Sequence, residues 1–136
     1  MQLEPYLFFD GNCEEALAFY KGVFDGEVTS LNRFEGSPLE SQLPPAYKTK
    51  IMHANFKAAT LRFMASDVIP GAPRPEGSRI ALSLGTSDAK AAEKTFTKLA
   101  QGGAITMPFQ DTFWGAKFGM VIDTFGIEWM INCEKA

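Results

Sequence analysis

The chain has 136 residues, 46% of them hydrophobic and 21% charged, and a net charge of −3. Those values fit one packed domain and exclude intrinsic disorder. No Lys/Arg cluster interleaves with aromatic residues, and no apolar run nears the roughly 20 residues that cross a bilayer. Neither nucleic acid nor a membrane is therefore an expected partner. Two cysteines without framework spacing, and a start (Met1-Gln2-Leu3-Glu4-Pro5) without a basic and apolar leader, point to a cytoplasmic protein.

In chain order, Tyr6-Leu7-Phe8-Phe9 reads as a short strand and Asp10-Gly11-Asn12 as a turn. Asn12 with Glu15 three residues on resembles a capping box for a helix over 13–24. Ala16, Leu17, Tyr20, Val23 and Phe24 recur there at three- and four-residue spacing and predict one buried stripe. Asp25-Gly26 ends the helix, with glycine expected in the left-handed cap. A second strand follows over 27–34. Residues 35–48, with three prolines and a glycine, read as a long loop, a candidate lid or subunit contact. Strands over 50–56 and 60–66 form a hairpin across Lys57-Ala58-Ala59, and residues 70–77 are a linker.

The order then repeats. A strand over 79–84 leads through Gly85-Thr86-Ser87, where Thr86 or Ser87 can cap, to a helix over 88–100 buried through Ala92, Phe96, Leu99 and Ala100. Gln101-Gly102-Gly103 ends it. A weak strand near Ile105-Thr106-Met107, a loop over 110–116 and a hairpin of 118–122 with 127–133 complete the chain. The two halves close on similar strands, Arg62-Phe63-Met64-Ala65-Ser66-Asp67 and Glu128-Trp129-Met130-Ile131-Asn132-Cys133. Each half thus reads βαβββ, with module one about 1–69 and module two about 78–136. The expected class is α+β: two βαβββ modules forming a curled mixed sheet with a central cleft, helices on the outer face.

Strand alternation sorts the faces. Phe63, Ala65, Ile127, Trp129 and Ile131 suit the helix layer, leaving Arg62, Met64, Glu128, Met130 and Asn132 inward. Tyr6 and Phe8 point the same way on the first strand, and Arg79, Ala81 and Ser83 on the first strand of module two. With Met52, Ala54 and Phe56 on the helices, His53 and Asn55 turn inward. This lining suits a small amphipathic molecule, one whose acidic group an arginine meets. A mutual Arg62–Glu128 pair is the competing structural explanation. His53, the only histidine, is a candidate general base with Glu128, against the plainer alternative of a hydrogen-bonded strand histidine. Trp114 is placed either over the cleft mouth or in packing. Cys13, followed by two glutamates, is expected to be inert, and Asp67 and Asp123 to organise turns.

The order and spacing of several segments resemble a known group. They are Pro5-Tyr6-Leu7-Phe8-Phe9-Asp10-Gly11-Asn12-Cys13-Glu14-Glu15-Ala16-Leu17, Ile51-Met52-His53-Ala54, Met64-Ala65-Ser66-Asp67, Phe113-Trp114-Gly115 and Asp123-Thr124-Phe125-Gly126-Ile127-Glu128-Trp129-Met130-Ile131-Asn132. The chain is similar to the vicinal oxygen chelate superfamily (glyoxalase, bleomycin resistance, dioxygenase), and within it to the PhnB-like, or 3-demethylubiquinone-9 3-methyltransferase-like, branch. The resemblance implies paired βαβββ modules and a homodimer. In the superfamily's metal enzymes the first and last strand of each module supplies a ligand, at positions that fall near Tyr6, Met64, Arg79 and Met130 here. None is a good ligand for a hard or borderline cation, so no cofactor is expected at that centre. The expected function is binding of a small molecule, with reaction and substrate open. The alternative is a metal-dependent lyase, isomerase or dioxygenase with a relocated site using His53 and Glu128. Nothing in the chain resembles the glycine-rich turn of a doubly wound adenosylmethionine-binding fold.

Overall fold

The computed structural model describes residues 2–71, 80–112 and 115–134. The chain divides into two compact units, Met1–Arg74 and Pro75–Ala136.

The first unit runs β1 (Tyr6–Phe9), α1 (Cys13–Phe24), β2 (Glu27–Arg33), two short 3₁₀ turns, β3 (Ile51–Ala58) and β4 (Leu61–Asp67). Its four strands lie in the order β1-β4-β3-β2. The β1–β4 pair is parallel and the others are antiparallel. The helix packs on one face of this sheet, over β2, β3 and β4. Alternation then decides which side chains it covers. Leu7, Phe9, Ala54, Phe56, Phe63 and Ala65 are buried beneath Ala16, Leu17, Tyr20 and Val23. Rings do most of the filling: Phe56 stacks on Phe63 with centroids 4.7 Å apart, and Tyr20 meets Phe63 edge-on at 5.7 Å.

The second unit repeats the plan as β5 (Leu82–Thr86), α2 (Ala89–Ala100), β6 (Ala104–Asp111), β7 (Ala116–Ile122) and β8 (Glu128–Glu134), in the order β5-β8-β7-β6. Here β5 and β8 are the parallel pair. Trp129, Ile131 and Val121 are buried on the α2 side with Ala92, Phe96 and Leu99. Gly119 belongs to that face because a Cβ there would meet Phe96 at 2.7 Å and the Phe109 backbone at 2.9 Å. The strand β6 carries Pro108 and two register shifts, which its place at the sheet edge tolerates. Two four-stranded mixed sheets, each with one helix, give the expected α+β class and the expected βαβββ modules.

Several local expectations need correction. Asn12 makes no side-chain cap bond; the N–H of Cys13 goes instead to Asp67, 54 residues away. The left-handed residue after α1 is Asp25 (φ 52°), not Gly26. Glycine is required at 26 for space, since a Cβ would run into the Phe56 ring. In α2 neither Thr86 nor Ser87 caps: Asp88 does, its Oδ1 accepting the N–H groups of Lys90 and Ala91 at 3.1 Å. The β3–β4 hairpin turns at Ala59 and Thr60 rather than over 57–59. Likewise β6 and β7 extend into the stretch expected to be a loop over 110–116. The proline-rich segment is tied to its own unit. Its Tyr47 hydroxyl donates to the Val68 carbonyl, and its ring sits 5.2 Å from that of Phe34. Burial, followed by the charges of Asp67 and Asp10, pushes the Tyr47 phenol up.

Candidate functional site

Because each helix covers one face of its sheet, the other face is left with the alternate side chains. In the first unit those are Tyr6 and Phe8 of β1, Met64 and Arg62 of β4, and His53, Asn55 and Lys57 of β3. Register aligns them. Tyr6 lies opposite Met64, Met64 opposite Asn55 and Asn55 opposite Ser30, forming one row across four strands. The next row toward the hairpin end pairs Arg62 with Lys57 and Lys57 with Glu27.

Three side chains on this face are joined by hydrogen bonds. The Tyr6 hydroxyl is 3.1 Å from His53 Nδ1, and His53 Nε2 is 3.3 Å from Asn55 Oδ1. The amide oxygen can only accept, so Nε2 carries the proton. In the neutral ring Nδ1 then accepts a hydrogen bond from the Tyr6 hydroxyl. The ring lies tilted against Tyr6 at a centroid distance of 5.7 Å. Tyr6 in turn lies 4.8 Å from Phe8, which is 54% exposed. This arrangement can exchange a proton at Tyr6 or at His53 with a bound molecule, and it offers that molecule two aromatic rings and a thioether.

Beside Asn55 lies a cavity of about 240 Å³, lined by Glu4, Thr29, Asn55, Phe56, Lys57, Arg62 and Phe63. Strand alternation places Asn55 and Arg62 on this face, and the sequence reading missed Glu4, Thr29 and Lys57. Arg62 Nη1 is 3.8 Å from Glu4 Oε1. Alternation does carry a signal for Lys57, two residues beyond Asn55. The expected turn at 57–59 hides it. For Met52 the helix-side expectation is only half met, because a register shift between Asn32 and Arg33 leaves that side chain half-buried and buries Ile51 instead.

In the second unit the open face holds Glu128, Met130 and Asn132 of β8, all half-buried, with Ser83 of β5 exposed. The register corrects one assignment. Met130 pairs with Ser83 as Met64 pairs with Tyr6, so Ser83 and not Arg79 is the counterpart of Tyr6. The strand itself begins at Leu82 instead of 79, and Ile80, expected under the helix, is 77% exposed. Arg79 and Trp114 lie outside the described residues.

The acidic and thiol groups are structural. Asp67, expected to organise a local turn, is buried and accepts two remote backbone N–H groups, from Cys13 at 2.9 Å and Ile51 at 2.8 Å. Asp123 does hold its own turn through Phe125 and Ile127, and also accepts Trp129 Nε1–H at 2.8 Å. Cys13 is fully buried, and its thiol is pushed up to about 12 by burial first and then by the charges of Asp67 and Glu14. Arg33 forks onto Glu14 at 3.1 and 2.7 Å and holds that carboxyl below its ordinary range. Among the described residues no group of three or more His, Cys, Asp and Glu side chains is placed to hold a metal ion. No described helix is long and apolar enough to cross a membrane.

Paired βαβββ modules, each a mixed four-stranded sheet under one helix, define the glyoxalase-like class. The same fold is found in a glyoxylase/bleomycin resistance protein/dioxygenase domain from Frankia sp., with a TM-score of 0.69 at 13% identity over 99% of this chain and 98% of that one. Within that class the chain belongs to the 3-demethylubiquinone-9 3-methyltransferase family, whose model matches residues 1–132. It is similar to protein PA1353 of Pseudomonas aeruginosa, at 40% identity and a TM-score of 0.87 over 100% of this chain and 99% of that one. A putative 3-demethylubiquinone-9 3-methyltransferase, PhnB protein, from Bacillus cereus matches at 28% identity and a TM-score of 0.82, covering 98% and 99%. Protein YjdN of Escherichia coli strain K12 is 35% identical over 99% of this chain and 97% of its own length.

Proposed function

We propose that this PhnB-like protein binds a small amphipathic molecule on the open face of its first sheet, with Tyr6, Phe8, His53, Asn55, Arg62 and Met64 as contacts. The single observation that carries the reading is the hydrogen-bonded run Tyr6–His53–Asn55 beside the Met64 thioether. A polar relay flanked by aromatic and thioether surface, next to a cavity, is what an amphipathic ligand requires. In this reading Tyr6 and His53 are the groups that exchange a proton with the ligand where a reaction occurs. The protein acts in the cytoplasm as a homodimer.

The reading places no divalent cation at the superfamily's usual centre. Met64 and Met130 offer thioethers and Ser83 a hydroxyl, while the Tyr6 phenol already donates to His53. Soft sulfur and a protonated phenol do not fit a hard or borderline ion.

A thermal-shift screen of metabolites and antibiotics tests this, run on chelator-treated protein and again with zinc, nickel, manganese and iron added. A ligand at a hundred times its Kd adds about 2.7 kcal/mol. The expected result is at least one compound that raises Tm equally in both series and fails on Tyr6→Ala and His53→Ala. A shift that needs added metal, or stoichiometric metal that is lost on His53→Ala, would overturn it.

A further inference from the structure

On the open face of the first sheet, Lys57 and Arg62 stand directly opposite one another across β3 and β4. Like charges in that position repel and weaken the strand pair. On its other side Lys57 stands opposite Glu27 of β2, but the two form no ion pair within 4 Å, and Arg62 has no close counter-ion. Arg62 Nη1 lies 3.8 Å from Glu4 Oε1, well beyond the roughly 2.7–2.9 Å of a charge-assisted hydrogen bond. No carboxylate lies within ion-pair distance of Lys57 among the described residues. Both cations line the cavity of about 240 Å³, together with Thr29 and Asn55. Asn55 commits its amide oxygen to His53 and keeps its NH2 as a donor. The cavity wall is therefore rich in donors, with Glu4 as its one carboxylate.

We propose that Lys57 and Arg62 form an anion-recognition subsite and that Glu4 is its resident, displaceable counter-ion. This deepens the small-molecule reading above and rests on it. The register supplies the ligand's dimensions. The cationic row Arg62–Lys57 lies two residues along the strands from the row Tyr6–Met64–Asn55, a step of about 7 Å. The ligand class is thus an amphipathic acid. Its carboxylate or other anionic group sits on Lys57 and Arg62, and its aromatic or apolar body lies along Met64 and Tyr6.

The probe is 4-phenylbutanoate, whose extended chain has that length, against its neutral amide, 4-phenylbutanamide, by titration calorimetry at low ionic strength. The acid is expected to bind about tenfold or more tighter than the amide. Lys57→Gln and Arg62→Gln should each remove most of that preference, weakening the acid far more than the amide. Glu4→Gln should tighten the acid alone, because it frees Arg62. Lys57 and Arg62 are exposed at the hairpin end of β3 and β4, and Glu4 is half-buried ahead of β1; unchanged Tm values show that the variants fold. Equal affinity for acid and amide, with both lost on Tyr6→Ala, overturns the subsite and leaves the binding face standing. Binding of neither compound at millimolar concentration also overturns the subsite, and the binding face is then judged by the thermal-shift screen alone.

Discussion

The carboxylate of Asp67, at the last residue of β4, accepts the backbone N–H of Cys13, the first residue of α1. It thereby satisfies the free N–H of the first helical residue, and the Asn12 side chain makes no cap bond. Its other oxygen accepts the N–H of Ile51 at the first residue of β3. One buried carboxylate therefore fixes the start of a helix and the start of a strand. Asp67→Asn keeps the size but turns one acceptor into a donor facing an N–H group. We expect a loss of about 1–3 kcal/mol in urea unfolding, with α1 amides exchanging faster in hydrogen-exchange measurements. An unchanged midpoint would remove Asp67 from this role.

The same contact shapes the behaviour of Cys13. Its thiol is pushed up to about 12, by burial first and then by the Asp67 and Glu14 charges. In the unfolded chain the thiol ionises near its ordinary value of 9.0. Between these two values the unfolded state gives up a proton that the folded state keeps. Stability is therefore intact below about pH 9 and falls as the pH rises through that window, by at most about 1.4 kcal/mol per unit. Urea midpoints from pH 8 to 10.5 should show the slope, and Cys13→Ala should flatten it. A thiol reagent at pH 8 should label Cys13 only at the rate of unfolding.

Two glycines near α1 separate space from conformation. Gly22 lies inside the helix, and a Cβ added there would meet nothing within 4 Å. Gly22→Ala should stabilise by about 0.5–1 kcal/mol through helix propensity. Gly26→Ala drives a methyl into the Phe56 ring and to 2.9 Å from the Lys57 carbonyl. Phe56 is stacked on Phe63 and has no room to retreat, so a loss of about 1–3 kcal/mol is expected. Melting curves of the two variants should move in opposite directions.

The faces of β4 and β8 are legible in the sequence because one side of each strand is uniformly apolar. Phe63 and Ala65, or Trp129 and Ile131, leave no second choice for the helix side. The helix stripes are legible for the same reason. The caps are less so: Asp67 reaches across 54 residues to α1, and no local pattern encodes that. Only Asp88, a local cap, stands beside its helix, and two neighbouring hydroxyl residues compete with it in the sequence. Site residues divide similarly. Tyr6, His53 and Asn55 follow from alternation, whereas the Tyr6–His53 bond and the Lys57–Arg62 opposition follow from register, which is set by the pairing of distant strands. Thr29 enters the cavity wall at a register shift between Val28 and Ser30, which no spacing rule anticipates.

In the second unit, Trp129 and Asp123 bind the last hairpin to the core. The indole Nε1–H donates to Asp123 Oδ2 at 2.8 Å in a buried position, while Oδ1 of the same carboxylate accepts the N–H groups of Phe125 and Ile127. Trp129 is 1% exposed and Asp123 3%. Trp129→Phe keeps an aromatic ring against α2 but removes the donor, leaving a charged oxygen in the core without that partner. Asp123→Ala removes the acceptor and both turn bonds together. Losing one partner of a buried charge-assisted bond costs about 1–3 kcal/mol. The Trp129→Phe loss should fall in that range, and Asp123→Ala should exceed it. In the double variant the Trp129→Phe cost should shrink toward its packing part, because the oxygen it strands is already gone. Equilibrium unfolding of the four proteins as a cycle reads this coupling directly, and strict additivity would show that the indole bond contributes nothing beyond packing.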